Sequence, residues 1–185
     1  SHITDVFANN LLTELGHIDK LIRAGFNHVA LDTEFPGFLH RTRFDDRACA
    51  VIYAVMKRNV DALKPIQFGF SFTDERGAKP AGVCTWQFNV KFDAKVDAHD
   101  PKGMTMLREA KIPLDVFAAQ GIELADFAAA LRGSLLYANA QLTWLSFHGA
   151  YDFAYLLKSV TASALPDTLQ GFGEIRKIVC PVVYD

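Results

Sequence analysis

His28-Val29-Ala30-Leu31-Asp32-Thr33-Glu34-Phe35-Pro36-Gly37 is the stretch on which the fold turns. His28 to Thr33 reads as a short strand: it is apolar and β-compatible, with Gly25 before it and Pro36-Gly37 after it. Side chains two apart on a strand share a face, so Asp32 and Glu34 can converge on one ion at the strand's end. Hard divalent cations such as Mg²⁺ take oxygen ligands of this kind. Asp-x-Glu alone is a weak signal, because a solvated strand end carries the same residues. The apolar run Val29–Leu31 before the pair and the turn-forming Phe35-Pro36-Gly37 after it strengthen the functional reading.

Upstream, Val6, Phe7, Leu11, Leu12, Leu15, Ile18, Leu21 and Ile22 recur at helical steps, predicting a helix that ends at Gly25 as a C′ residue. Downstream, Asp45 or Asp46 can cap a second helix running to about Asn59, closed by Pro65. Ile66 to Phe72 and Val83 to Val90 read as a hairpin around the turn Asp74–Gly77. A loop is expected over Asp93–Gly103, followed by helices near Met104–Lys111, Leu114–Gln120 and Glu123–Tyr137. Leu142 to Phe147 reads as a buried strand, Tyr151 to Val160 as a helix, and Pro166 to Val179 as a last helix. This order predicts a mixed α/β layer, not a regular parallel series.

The strand Leu142–Phe147 leads through His148 and Gly149 to Asp152, in the first turn of the next helix. A carboxylate there either complements the helix N-terminus or serves as a third metal ligand. A strand end bearing Asp32 and Glu34 and a helix start bearing Asp152 can bring three carboxylates into one cleft at a sheet edge. Two ions about 3.5–4 Å apart could be clamped by such a set.

Composition narrows the alternatives. A chain of 185 residues with 50% apolar content supports one sizeable core, and residues 1–185 read as a single domain. A net charge of −2 gives no general attraction to phosphate, so any nucleic acid must be held by a local patch or by metal ions. Arg41, Arg43, Arg47, Lys57 and Arg58 form the basic concentration, either a backbone-contacting patch or, the favoured reading, a solvated charged face. Cys49, Cys84 and Cys180 show no ligand-type spacing and are odd in number, arguing against a disulfide framework and a structural zinc site. No signal-like leader and no apolar run near ~20 residues is visible, so a soluble intracellular protein is expected.

Several blocks together resemble the Caf/Pop deadenylases of the DEDD exonuclease superfamily: Val29-Ala-Leu-Asp32-Thr-Glu34-Phe-Pro-Gly37, Arg58-Asn-Val-Asp61 with Pro65-Ile-Gln-Phe-Gly69, Thr85-Trp-Gln-Phe-Asn89, Trp144-Leu-Ser-Phe-His148 with Tyr151-Asp152-Phe153, and Pro181-Val-Val-Tyr-Asp185. The resemblance spans about Val6 to Asp185 in order and approximate spacing. It implies a ribonuclease H-like mixed sheet flanked by helices, two divalent metal ions (Mg²⁺ or Mn²⁺), and 3′-to-5′ shortening of poly(A) tails with release of 5′-AMP. Asp32 and Glu34 match the family's first and second acidic ligands and Asp152 the third. The fourth acid and a histidine base belong to a later motif, histidine followed five residues on by aspartate. No histidine follows His148, so that motif is absent and the C-terminal part of the fold is expected to be missing from this stretch. Asp185 matches a family position outside the metal set.

Phe35 resembles the residue that packs against the terminal nucleotide, with a core Phe beside Pro36 as the plainer alternative. His148 is either an RNA contact or a hydrogen-bonded structural residue, and Trp86, Trp144 and Tyr151 are most simply core. The partners implied are poly(A) RNA, a large Not scaffold subunit, a Ccr-type nuclease and antiproliferative Tob/BTG-type proteins, in the cytoplasm and also the nucleus. The competing reading is a catalytically silent scaffold or adaptor module of the same fold in an mRNA-decay complex. A DNA-directed exonuclease is disfavoured by the family-specific blocks.

Overall fold

Strand β2 (His28–Glu34) lies inside a six-stranded sheet, and its alternation sorts the side chains into two faces. A computed structural model describes residues 2–43 and 48–185 of the chain. The remaining elements in chain order are β1 (Ile3–Val6), α1 (Leu11–Arg23), α2 (Cys49–Ala62), β3 (Gln67–Thr73), β4 (Thr85–Asn89), α3 (Pro101–Glu109), α4 (Leu114–Gln120), α5 (Leu124–Arg132), β5 (Thr143–Leu145), α6 (Ala150–Thr161), α7 (Leu169–Val179) and β6 (Val182–Tyr184). The strand order is β1-β4-β3-β2-β5-β6. The central β2–β3 and β3–β4 pairs are antiparallel, and the outer pairs β1–β4, β2–β5 and β5–β6 are parallel. The mixed α/β layer expected from the element order is therefore the architecture observed.

Val29, Leu31 and Thr33 of β2, Phe68, Phe70 and Phe72 of β3, and Trp86 and Phe88 of β4 are buried. All but Thr33 join Leu15 and Ile18 of α1 and Tyr155, Leu156 and Val160 of α6 in the main core. Rings interlock here: Phe68 stacks on Phe127 with centroids 4.7 Å apart, and Phe70 meets Phe88 edge-on at 5.5 Å. Ile66, Phe92, Met104, Leu107 and Phe117 form a second cluster beneath α3 and α4.

Local chemistry explains most boundaries. Gly25 takes φ +98° just past α1 and its N–H donates to the Ile22 carbonyl, as expected of a C′ glycine. Thr168 caps α7, its Oγ1 accepting from the Gly171 N–H at 3.1 Å. Pro101 opens α3 at the position where a missing N–H costs nothing, so this helix starts within the segment expected to be loop. Helix α5 ends at Arg132, short of the expected Tyr137, because Gly133 and Ser134 turn the chain.

Two short parallel edge strands were not expected. Ile3–Val6 pairs with Thr85–Phe88, and Val182–Tyr184 pairs with Thr143–Leu145. Val6 fits a helical spacing in the sequence, yet it is a fully buried strand residue and the helix begins only at Leu11. A three- or four-residue edge strand has no stable pattern of its own; its partner in space supplies the hydrogen bonds. The expected caps Asp45 and Asp46, and Arg47 of the basic concentration, lie outside the described residues. Among the described residues, no helix is long and apolar enough to cross a membrane.

Candidate active site

Alternation along β2 puts Asp32 and Glu34 on the face opposite Leu31 and Thr33. They face a hollow of about 200 Å³ floored by the small and polar residues of neighbouring strands, among them Gln67, Gly69, Ser71 and Gln87. Asp32 lies directly across from Gly69, which keeps bulk away from its carboxylate, and Glu34 lies across from Gln67. Just beyond them the chain turns at Pro36-Gly37. Gly37 has φ +88°, and a Cβ there would stand 2.8 Å from the Asp100 Cβ. Gly103 of α3 approaches as closely from the other side, its own Cβ position lying 2.6 Å from the Gly37 Cα. The Asp100 N–H donates to the Pro36 carbonyl at 2.8 Å, so α3 clamps the turn that ends the carboxylate strand.

Asp152 approaches the end of β2 from α6, where it occupies the first turn and is buried against Thr33. Gly149 precedes it, and a Cβ at that position would lie 2.4 Å from the Ser146 Cβ. Asp185, just past β6, fastens this entry loop: its Oδ1 accepts from the Ser146 hydroxyl at 2.8 Å and from the Gly149 N–H at 3.0 Å. Those bonds, that to the Gly149 N–H first, hold the Asp185 carboxyl below the usual aspartate range.

Burial first, then the charges of Asp32 and Asp152, push the Glu34 carboxyl up. Burial also raises Asp152; the Thr33 hydroxyl opposes this by donating to Asp152 Oδ1 at 2.5 Å, and the Asp32 charge adds to it. Carboxyls raised by burial and by a neighbouring negative charge, as Glu34 and Asp152 are, gain from a nearby cation. As these side chains stand, no group of three or more His, Cys, Asp or Glu is arranged to hold a metal ion among the described residues.

Phe35 sits in an aromatic cluster, stacked on Tyr155 at 4.9 Å and Tyr151 at 5.5 Å, with Phe38 edge-on at 5.4 Å. It is partly exposed beside the carboxylates. His148 is exposed on the loop before α6, in the left-handed region at φ +53°, its ring 4.6 Å from that of Phe147. Trp86 and Trp144 are buried in the core, whereas Tyr151 is half-buried and its hydroxyl accepts from Asn59 Nδ2 at 3.1 Å. Within the basic concentration, Lys57 pairs with Asp61 at 2.6 Å, Arg41 lies 3.7 Å from Asp100, and Arg58 lies 3.2 Å from His40 Nδ1.

Sequence reasoning passed over two residues. Asn59 is fully buried and also bonds the N–H and carbonyl of His40, tying the strand's exit loop to α2. Thr33 bridges strand and helix. Each carried a signal: Asn59 is polar amid the buried face Tyr53-Met56-Val60, and Thr33 is the inward-facing polar residue after Val29 and Leu31.

Residues 6–130 match the CAF1 family ribonuclease. This chain belongs to that family. Poly(A) ribonuclease pop2 of Schizosaccharomyces pombe is 40% identical over 190 residues, an alignment covering 100% of this chain and 55% of that protein. The chain thus spans about half the length of that curated relative. The solved structure of S. pombe Pop2p in its Mg²⁺- and Mn²⁺-bound form superposes with a TM-score of 0.94 at 40% identity, covering 100% of this chain and 73% of that one. The structure of the yeast NOT1 MIF4G domain co-crystallized with CAF1 matches with a TM-score of 0.83 at 33% identity, over 99% of this chain and 68% of that one. The mixed sheet and its helices are ribonuclease H-like, and Exonuclease I shares that fold at 14% identity and a TM-score of 0.51, over 85% of this chain and 28% of that one.

Proposed function

We propose that this chain carries the catalytic core of a poly(A)-shortening 3′-to-5′ exoribonuclease that releases 5′-AMP with the aid of two divalent metal ions. The observation that carries the reading is the placement of Asp32 and Glu34 on one face at the end of β2, with Asp152 of α6 hydrogen-bonded to Thr33 between them. Membership of the CAF1 ribonuclease family and likeness to a Pop2p structure bound to Mg²⁺ and Mn²⁺ support it. An all-oxygen, all-anionic donor set suits hard cations, and Asp32, Glu34 and Asp152 are the residues that would hold them. Bound there, such ions supply neutralising charge at the scissile phosphate and a water of lowered pKa.

The chain's own groups do the remaining work. The aromatic cluster around Phe35 offers ring surface for the terminal base, and His148 with Phe147 lines the approach to α6. Gly69 and Ser71 keep the strand face low beside the carboxylates. A Not scaffold subunit is the partner best supported, through likeness to the NOT1–CAF1 structure. A Ccr-type nuclease, Tob/BTG-type proteins and a cytoplasmic and nuclear location belong to the same proposal.

The full-length protein with Mn²⁺ should shorten a 5′-labelled A-tract RNA stepwise, spare single-stranded DNA of equal sequence, and lose activity on Asp32→Ala or chelation. An intact RNA ladder from the unmutated protein would overturn the reading. The silent-adaptor alternative draws on the absence of a ready ligand cage among the described residues. Calorimetric titration separates the two, since an adaptor takes up no Mn²⁺ in an Asp32-dependent way.

A further inference from the structure

Thr33 stands between the two strand carboxylates but faces the other way. Alternation turns its side chain into the core side of the sheet, where it is 8% exposed, while Asp32 and Glu34 face the hollow. Its hydroxyl is not idle there: Oγ1 donates to Asp152 Oδ1 at 2.5 Å, a bond joining residues 119 apart in the chain. Asp152 is itself only 9% exposed.

We propose that Thr33 is a positioning residue, whose hydroxyl fixes the Asp152 carboxylate in register with Asp32 and Glu34 so that strand and helix present one acidic set. This rests on the nuclease reading above. Three physical points support it. A β-branched side chain is stiff at χ1, so the hydroxyl's direction is set by the strand backbone and not by a mobile chain. The bond engages Oδ1 from a neighbouring strand, the usual role of a partner that orients a ligand from behind. Removing the hydroxyl would take the side-chain donor from a buried carboxylate and leave it to backbone N–H groups alone, beside the charge of Asp32.

The test uses the full-length protein with Thr33→Val, which keeps the shape but loses the donor, and Thr33→Ser, which keeps the donor. Mn²⁺ affinity is read by calorimetry without RNA, kcat and KM on A-tract RNA, and folding by thermal melting without metal. Thr33→Val should weaken Mn²⁺ binding and lower kcat by about 10–100-fold each with KM for RNA unchanged, and Thr33→Ser should restore both. Unaltered Mn²⁺ affinity and kcat in Thr33→Val, or a serine variant no better than the valine one, overturns the proposal. Should the valine variant not fold, Thr33→Ala is read against Thr33→Ser in the same way. If the unmutated protein shows no Asp32-dependent Mn²⁺ uptake, it is the nuclease reading that falls.

Discussion

The two faces of β2 and its neighbours are written in alternate letters of the same sequence, and they are built to opposite ends. One carries Leu31, Phe68, Phe70, Trp86 and Phe88, buried and interlocked with the helices. The other carries Ala30, Asp32, Glu34, Gln67, Gly69 and Ser71, small or polar, around a hollow. The first face gains free energy by removing apolar area from water; the second gives some up by bringing like charges together at a partly desolvated edge. Stability and chemistry are thereby separated by a single residue step, with Thr33 and Asp152 the place where they touch.

That contrast can be broken in graded ways. The largest effect on function should come from Asp32→Ala: activity of the full-length protein falls to background on A-tract RNA, while the melting temperature of the metal-free protein holds or rises, because repulsion on Glu34 and Asp152 is relieved. A melting temperature that drops instead would show that the polar face also supports the fold. The largest effect on stability should come from the other face. Phe70, fully buried between the Phe88 and Trp144 rings, should cost about 3–5 kcal/mol on Phe70→Ala in urea unfolding.

Lys158 gives a smaller change. Its ammonium donates to the carbonyls of Val60, Asp61 and Leu63, closing the end of α2 against α6, and burial lowers its pKa. Lys158→Met should destabilise by about 1.5–3 kcal/mol, the worth of hydrogen bonds to a charged group, without changing KM for RNA.

A pH dependence follows from the acidic face. Glu34 and Asp152 have folded-state values above their ordinary ones, so between the two values the folded protein holds protons that the unfolded chain has lost. Metal-free stability should therefore fall as pH rises from the ordinary carboxylate range through the raised values, and Glu34→Gln should flatten that slope in thermal melts across pH. Smallest of all, Leu12 is 75% exposed on the outer side of α1, and Leu12→Ala should shift stability by no more than about 0.5 kcal/mol.

How much of this was legible beforehand varied with the range of the interaction. The end of α1 at Gly25, the hairpin β3–β4 and the helix Leu114–Gln120 rest on local periodicity and turn chemistry and lie where the pattern puts them, whereas α1 starts later than its spacing implies. Asp32 and Glu34 at a strand end and Asp152 in the first turn of a helix, named from two separate motifs, stand on the elements the sequence pattern assigned them. Edge strands Ile3–Val6 and Val182–Tyr184 were not legible, since each exists only through a partner about 80 or 40 residues away in the chain. Thr33 was hidden differently: its neighbours in sequence point away from it, and its partner arrives from α6.

Residue order by itself determined the alternation that divides the sheet's two faces, the glycines and prolines that end its elements, and the family to which the chain belongs. Tertiary structure alone decided that Asp152 lies against Thr33, that α3 locks the Pro36-Gly37 turn, and that Asp185 fastens the loop before α6. Backbone periodicity is a property of consecutive residues, whereas these contacts depend on how distant segments are brought together, which no local pattern encodes.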